Sequence, residues 1–253
     1  MAIGKYHAAR VKPNINLLGN VAYAASDVLF DWHAFEIPNG TAKLVALELI
    51  VAGTNGADAN VHDMDLLFAT SVNGTAPPTL GGANAALTLI NSTASRNHIV
   101  HHRYLDGSSL TDLGDFIGYN FWSNKSGALV GQHAIVTPVI AGEPNYGTQG
   151  YQTIWIAAIA QGAFDFGTGC IAAGDNAADN LGIVIDGVDA DDVFAIGDTV
   201  IAFDADGSGA TEIGNVTALS ADLITVDAAA TLIADDDEIC NLSPITFNLG
   251  FEY

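Results

Sequence analysis

Positive charge is scarce in this sequence and absent from its second half. Only 7 of 253 residues are Lys or Arg, against 29 Asp and Glu, so the formal net charge is -22. The seven cations, Lys5, Arg10, Lys12, Lys43, Arg96, Arg103 and Lys125, all lie in residues 1–125, which carry 10 acids and a net charge of -3. Residues 126–253 carry 19 acids and no cation. Such a chain repels nucleic acid and anionic membranes, so neither is an expected partner. It suits salty surroundings, where self-repulsion is screened.

Cysteine is scarce too. Cys170 and Cys240 are the only two, too few for a disulfide framework, and neither sits in a C-x-x-C pattern. Long apolar runs are missing: "IWIAAIA" at 154–160 has the length of a buried strand and not of a membrane span. The stretch "VKPNINLLGNVAYAAS" has the ingredients of a leader peptide, but its apolar patch is short and broken by Asn and Pro, so no leader is expected. Six N-x-Ser/Thr sequons (Asn39, Asn73, Asn91, Asn124, Asn215, Asn241) then reflect loops rich in Asn, Ser and Thr.

Helical periodicity is also lacking. Short apolar runs broken by Gly, Pro, Asn and Asp take its place. "AFEIP" (34–38), "KLVALELIVAG" (43–53), "MDLLFATSV" (64–72), "HIVHHRYL" (98–105), "IGYNFWS" (117–123), "HAIVTPVIA" (133–141) and "TIWIAAIAQG" (153–162) read as strands. So many strands without intervening helices predict an all-β protein, a jelly-roll-like β-sandwich. After Phe166 the texture changes. Strands at Ile183/Ile185, Thr199–Phe203, Ile213–Leu219 and Leu223–Val226 are short, evenly spaced and joined by acidic turns, which predicts a small β-barrel. "SPITFNLGFEY" (243–253) then returns to sandwich-like sequence. The predicted organisation is an extended N-terminal arm (1–20), a sandwich (21–170 plus 243–253), and an acidic barrel (171–242) inserted near the C-terminus. An inserted unit has its incoming and outgoing chains close together, so Cys170 and Cys240 are placed at the neck. They form either a disulfide, if their Cα atoms approach within about 7 Å, or a pair of reduced, buried thiols.

Catalytic and metal-binding patterns are sparse. "FDADGSGATEIG" (203–214) looks like a calcium loop, with Asp204 and Asp206 as candidate ligands. Setting Gly207 at the glycine position of an EF-hand puts Ala202 and Ile213 where the first and last ligands belong. No helices flank it, and Asp-Gly favours hairpins. A tight turn is therefore expected, and no metal or other cofactor. Asp235-Asp236-Asp237-Glu238 reads as a solvated acidic turn. In the only histidine cluster, His98 and His102 point the same way on a strand but lie about 13 Å apart at about 3.3 Å per residue, with His101 on the other face. No nucleophile elbow, zincin helix, phosphate loop or dinucleotide fingerprint occurs, and no pair of carboxylates stands out as glycosidase-like. The expected protein is not an enzyme.

The barrel segment does resemble a known family. Gly197-Asp198-Thr199-Val200, Asp206-Gly207, Val216-Thr217-Ala218-Leu219 and Asp222-Leu223-Ile224-Thr225-Val226-Asp227 follow the pattern of small β-barrel modules in tailed-bacteriophage virion proteins. "DMDLLFATSVNGTAPPTLGGANAALTL" (63–89) resembles phage jelly-roll head proteins. The resemblance implies a structural protein of the virion, a cement or decoration protein on the capsid exterior, assembled in the host cytoplasm. It carries no active-site residues with it. The implied partners are the major capsid protein and further copies of the chain, as a trimer or dimer. A capsid-binding role then falls to the arm, through Lys5, Arg10 and Lys12 and the apolar Ile15, Leu17 and Leu18. The alternative is a tail, baseplate or fibre component with a carbohydrate-binding role, for which Tyr146, Tyr151 and Trp155 are candidate groove residues.

Overall fold

Period-two burial marks several of the strands. In the strand Lys43–Ala52, Leu47, Leu49 and Val51 are buried while Ala46, Glu48 and Ile50 face outward, the mark of a sheet with one face on a core. A computed structural model describes residues 6–15, 22–39, 42–55, 61–72, 74–82, 84–88, 98–107, 111–112, 116–122, 151–176, 181–228 and 233–252. The expected strand at 133–141 lies outside the described residues.

The strands in chain order are β1 (Tyr6–Val11), β2 (Val28–Pro38), β3 (Lys43–Ala52), β4 (Met64–Thr70), β5 (Ile99–Leu105), β6 (Thr111–Asp112), β7 (Phe116–Trp122), β8 (Tyr151–Ala160), β9 (Cys170–Ala172), β10 (Gly182–Asp186), β11 (Thr199–Phe203), β12 (Thr211–Ser220), β13 (Leu223–Val226), β14 (Glu238–Asn241) and β15 (Ile245–Glu252). One helical turn, α1 (Ala190–Val193), precedes β11.

Two antiparallel sheets carry the order β1-β15-β3-β7-β6 and β2-β8-β4-β5. With the short β6 set aside, the first and last strands are neighbours in one sheet and the second and next-to-last are neighbours in the other. That is the jelly-roll order. The sheets pack face to face through Leu47, Leu49, Phe247, Leu249 and Phe251 on one side and Phe35, Ile37, Leu66, Phe68, Ile154 and Ile156 on the other. Phe30 and Phe247 meet across the gap at 5.9 Å between ring centroids, and Phe35 and Phe251 at 6.1 Å. A bulge between Gly250 and Phe251 skips Val45, so Leu44 turns inward beside Phe251, against strict alternation. β2 begins six residues before the expected strand. Two register shifts across Val28–His33 break the pattern there.

Between β8 and β15 the chain builds a closed six-strand barrel of order β10-β13-β12-β11-β14-β9. Ile183, Ile185, Val200, Ala202, Ile213, Val216, Ile224, Val226 and Ile239 fill it. The neighbouring residues on β11 and β14, Ile201, Phe203 and Cys240, belong with Leu242 to the sandwich core. One wall of the barrel thus has both faces buried, one in each core. At the neck, the buried Thr54 takes its N–H to the Phe166 carbonyl at 2.8 Å. Its hydroxyl lies 3.0 to 3.1 Å from the carbonyls of Phe166, Gly167 and Thr168.

The N-terminal segment differs from the expected free arm. Tyr6–Val11 is the edge strand of the first sheet, paired residue by residue from Tyr6 opposite Glu252 to Val11 opposite Phe247. Pro13 and the Asn residues disfavour a strand only after Val11, and the pairing ends there.

Because Phe203 sits on a barrel strand and in the sandwich core, Phe203→Ala is expected to lower the stability of both units together. The expected cost is about 3–5 kcal/mol. Denaturant unfolding followed by probes in each unit checks it: coincident, equally shifted transitions are expected.

Candidate functional site: the seam between barrel and sandwich

The residues selected from the sequence are brought together only in part. Lys12 leaves β1 at the barrel and its ammonium pairs with the Asp198 carboxylate. Asp198 is 3% exposed. Its other oxygen accepts the Ala195 N–H at 2.9 Å and the Asn241 side-chain N–H at 2.8 Å. Asn241 in turn accepts the Ser243 N–H at 2.8 Å, and the Ser243 hydroxyl donates to Asn14 Oδ1 at 2.8 Å. Ile15 is wholly buried, with its N–H on the Leu242 carbonyl at 2.7 Å. A cleft of about 310 Å³ opens beside this network, with Arg10, Asp191 and Thr246 among its lining residues.

This corrects the expected arm at two residues. Lys12 and Ile15 are engaged inside the molecule, because a buried carboxylate needs a cation and the seam needs an apolar plug. Arg10 stays exposed on the outer face of β1, beside a depression of about 380 Å³ over Ala8, Ala46 and Gly250. Lys5, Leu17 and Leu18 lie outside the described residues.

The two cysteines are free and buried. Cys170 is paired across the ladder with Ile239, so Cys240, one residue on, points to the opposite side of the wall. Cys170 lies in the barrel core and Cys240 in the sandwich core, which removes the expected disulfide alternative. Burial pushes the Cys170 thiol up to about 11. Burial, with Glu238 nearby, pushes Cys240 up to about 12. Both are therefore inert as nucleophiles at neutral pH.

The calcium-like loop is the β11–β12 hairpin turn. Asp204 closes it through backbone bonds with Gly207 and Ser208. Asp206 accepts the Ser208 N–H at 3.0 Å. The side-chain hydroxyl and N–H of Ser208 hold the Asp206 carboxyl below its ordinary range. Gly209 has φ +66, and a Cβ there would collide with the Asp204 carboxylate. Among the described residues no group of three or more His, Cys, Asp or Glu could hold a metal ion. In the run 235–238 only Asp235 and Asp236 are exposed. Asp237 and Glu238 are buried, since β14 begins at Glu238 and Asp237 accepts the Ala234 N–H at 2.7 Å. The expected solvated turn is corrected for those two.

The histidines disperse. His102 pairs with Asp65 at 2.6 Å, the His101 ring lies 6.2 Å from Phe68, and His98 sits 3.3 Å from the Thr70 hydroxyl. Asp65 also accepts from Gln161 at 2.7 Å. The Tyr104 hydroxyl donates to Asp63, which pushes its pKa up to about 12. Sequence reasoning missed this polar patch, because its members come from β4, β5 and the residues just before β4 and just after β8. Of the groove aromatics, Tyr146 lies outside the described residues, Tyr151 lies 6.0 Å from the His7 ring, and Trp155 donates its indole N–H to Ser71 at 3.2 Å. Among the described residues no helix is long and apolar enough to cross a membrane.

Fold and site define an all-β protein, a jelly roll carrying a closed barrel. No family model, curated protein or solved structure matches the chain.

Two outcomes follow from this chemistry. Calorimetry is expected to find calcium binding at the 203–214 turn no tighter than about millimolar, the range of weak extracellular sites. A micromolar site lost in Asp204→Ala/Asp206→Ala would contradict the turn. The second concerns acid. The side chain and N–H of Asn215 hold the Asp227 carboxyl below its ordinary value of 3.8. Its folded pKa is thus depressed, so its contribution is complete above pH 3.8 and is lost as pH falls through the folded value. Asp227→Asn is expected to flatten the acid limb of the barrel's stability curve, measured by denaturant midpoint against pH.

Proposed function

We propose that the chain is a non-enzymatic structural protein of a virion, a cement or decoration protein that binds the major capsid protein and stabilises the shell. The observation that carries this reading is the bipolar layout. β15 runs from Ile245, next to the barrel, to Glu252, opposite Tyr6. The barrel and the two described chain ends therefore lie at opposite ends of one strand, about 25 Å apart at about 3.3 Å per residue. Residues 171–242 carry 16 acids and no cation, so a like-charged neighbour repels them. This end suits exposure to water, and the sandwich suits contact with the shell. The phage-like motifs in both units point the same way.

With Lys12 and Ile15 held in the seam, attachment falls to the outer surface of the sandwich, where Arg10 is exposed. Purified chain mixed with heads that lack it is expected to co-sediment with them and to raise the temperature at which they open. Arg10→Ala is expected to weaken binding by up to about 1 kcal/mol at low salt and by less at high salt. Electron microscopy of labelled particles separates this reading from its rival, since density on the tail in place of the head would refute it.

A further inference from the structure

The N-terminal segment holds both bodies of the molecule. Six residues of β1 pair with β15. The next four reach the seam: Lys12 pairs with Asp198 of the barrel, Asn14 accepts from Ser243, and Ile15 donates to Leu242, both in the link between β14 and β15. The two side-chain contacts span 186 and 229 residues of chain. None of them can form until β15 and the barrel are in place.

The grip of this segment is concentrated at the seam. Among the described strands β1 lies at the sheet edge with β15 as its one partner. Its inward side chains His7 and Ala9 are half-buried, and only Val11 is buried. Ile15, by contrast, is wholly buried. Asp198 has one cationic partner among the described residues, Lys12, and a buried carboxylate that loses its cation is strongly disfavoured. Withdrawing the segment thus uncovers the seam beside the cleft. The six-strand barrel ladder and the inner strands of the sandwich stay paired, since neither includes β1.

We propose that residues 6–15 are a clasp that closes last and seals the seam between barrel and sandwich, so that releasing β1 and opening the seam are one event. A partner that takes β1 by strand pairing would open the seam beside the barrel, and a partner that covers the seam would secure β1. The proposal rests on the seam geometry alone and stands whether or not the chain decorates a capsid.

Hydrogen exchange on the full chain tests it. In the unaltered protein, the paired amides of β1 and the Ile15 N–H are expected to exchange at least about tenfold faster than those of β3 and β13, through an opening smaller than global unfolding. Lys12→Met is expected to speed exchange at β1, Ile15 and Leu242 by a further factor of about ten, with β3 and β13 unchanged. Asp198→Asn combined with Lys12→Met removes the stranded charge and should bring the rates back toward the wild-type values, and Lys12→Arg, which keeps the pair, should leave them near wild type. Equal rates at Ile15 and β3 in the unaltered chain would overturn the proposal, and that measurement needs no variant to fold. Uniform acceleration over the whole chain in Lys12→Met, or no change at Ile15 and Leu242, would overturn it as well.

Discussion

The wall made by β11 and β14 is buried on both faces, and the rest of the molecule is arranged around it. Val200, Ala202 and Ile239 point into the barrel, while Ile201, Phe203 and Cys240 point into the sandwich. Removing apolar area from water is the dominant favourable term in folding. A wall that contributes to two cores ties their stabilities together. The insertion is therefore closer to an outgrowth of the jelly roll than to a bead on a string. The same wall explains the cysteines: adjacent positions on a double-buried ladder send neighbouring side chains to opposite cores, so the two thiols never meet.

A double-buried wall needs its rim sealed, and here the seal is polar. Asp198 is buried at the rim, where it accepts from Ala195 and Asn241 and pairs with Lys12. In a chain with 7 cations and 29 acids, one of the few positive charges is committed to this spot. A buried ion pair is weak evidence for net stability but strong evidence for geometry, because breaking it strands a charge. The pair fixes where the N-terminal segment crosses from sandwich to barrel. It also takes that cation away from any external acidic surface.

The remaining acids play a local part. Asp204 and Asp206 order the β11–β12 hairpin turn, and Asp227 ties the end of β13 to Asn215 on β12, each by accepting from nearby N–H groups or side chains. Their abundance is what a barrel of short strands and tight turns requires. It leaves the barrel strongly negative as a whole, a long-range property that bears on what approaches it and in what salt.

Period-two patterning and turn residues are local signals, and the sequence by itself determined what depends on them. The all-β class, the return of sandwich strands at 245–252 and the limits of β11 and β13 were legible because each rests on a few neighbouring residues. Register shifts hid the start of β2. β9 was hidden because it has only three residues, and β14 because all four of its residues are buried and its sequence does not alternate. Only the tertiary structure decided that Tyr6–Val11 is a strand, that Ile15 plugs a seam, that Asp198 and Lys12 are partners, and that Cys170 and Cys240 face different cores. Those assignments depend on contacts between residues up to 229 positions apart. Nothing local marks one Asp among many for burial: Asp198 looks like any turn acid until the sandwich closes over it.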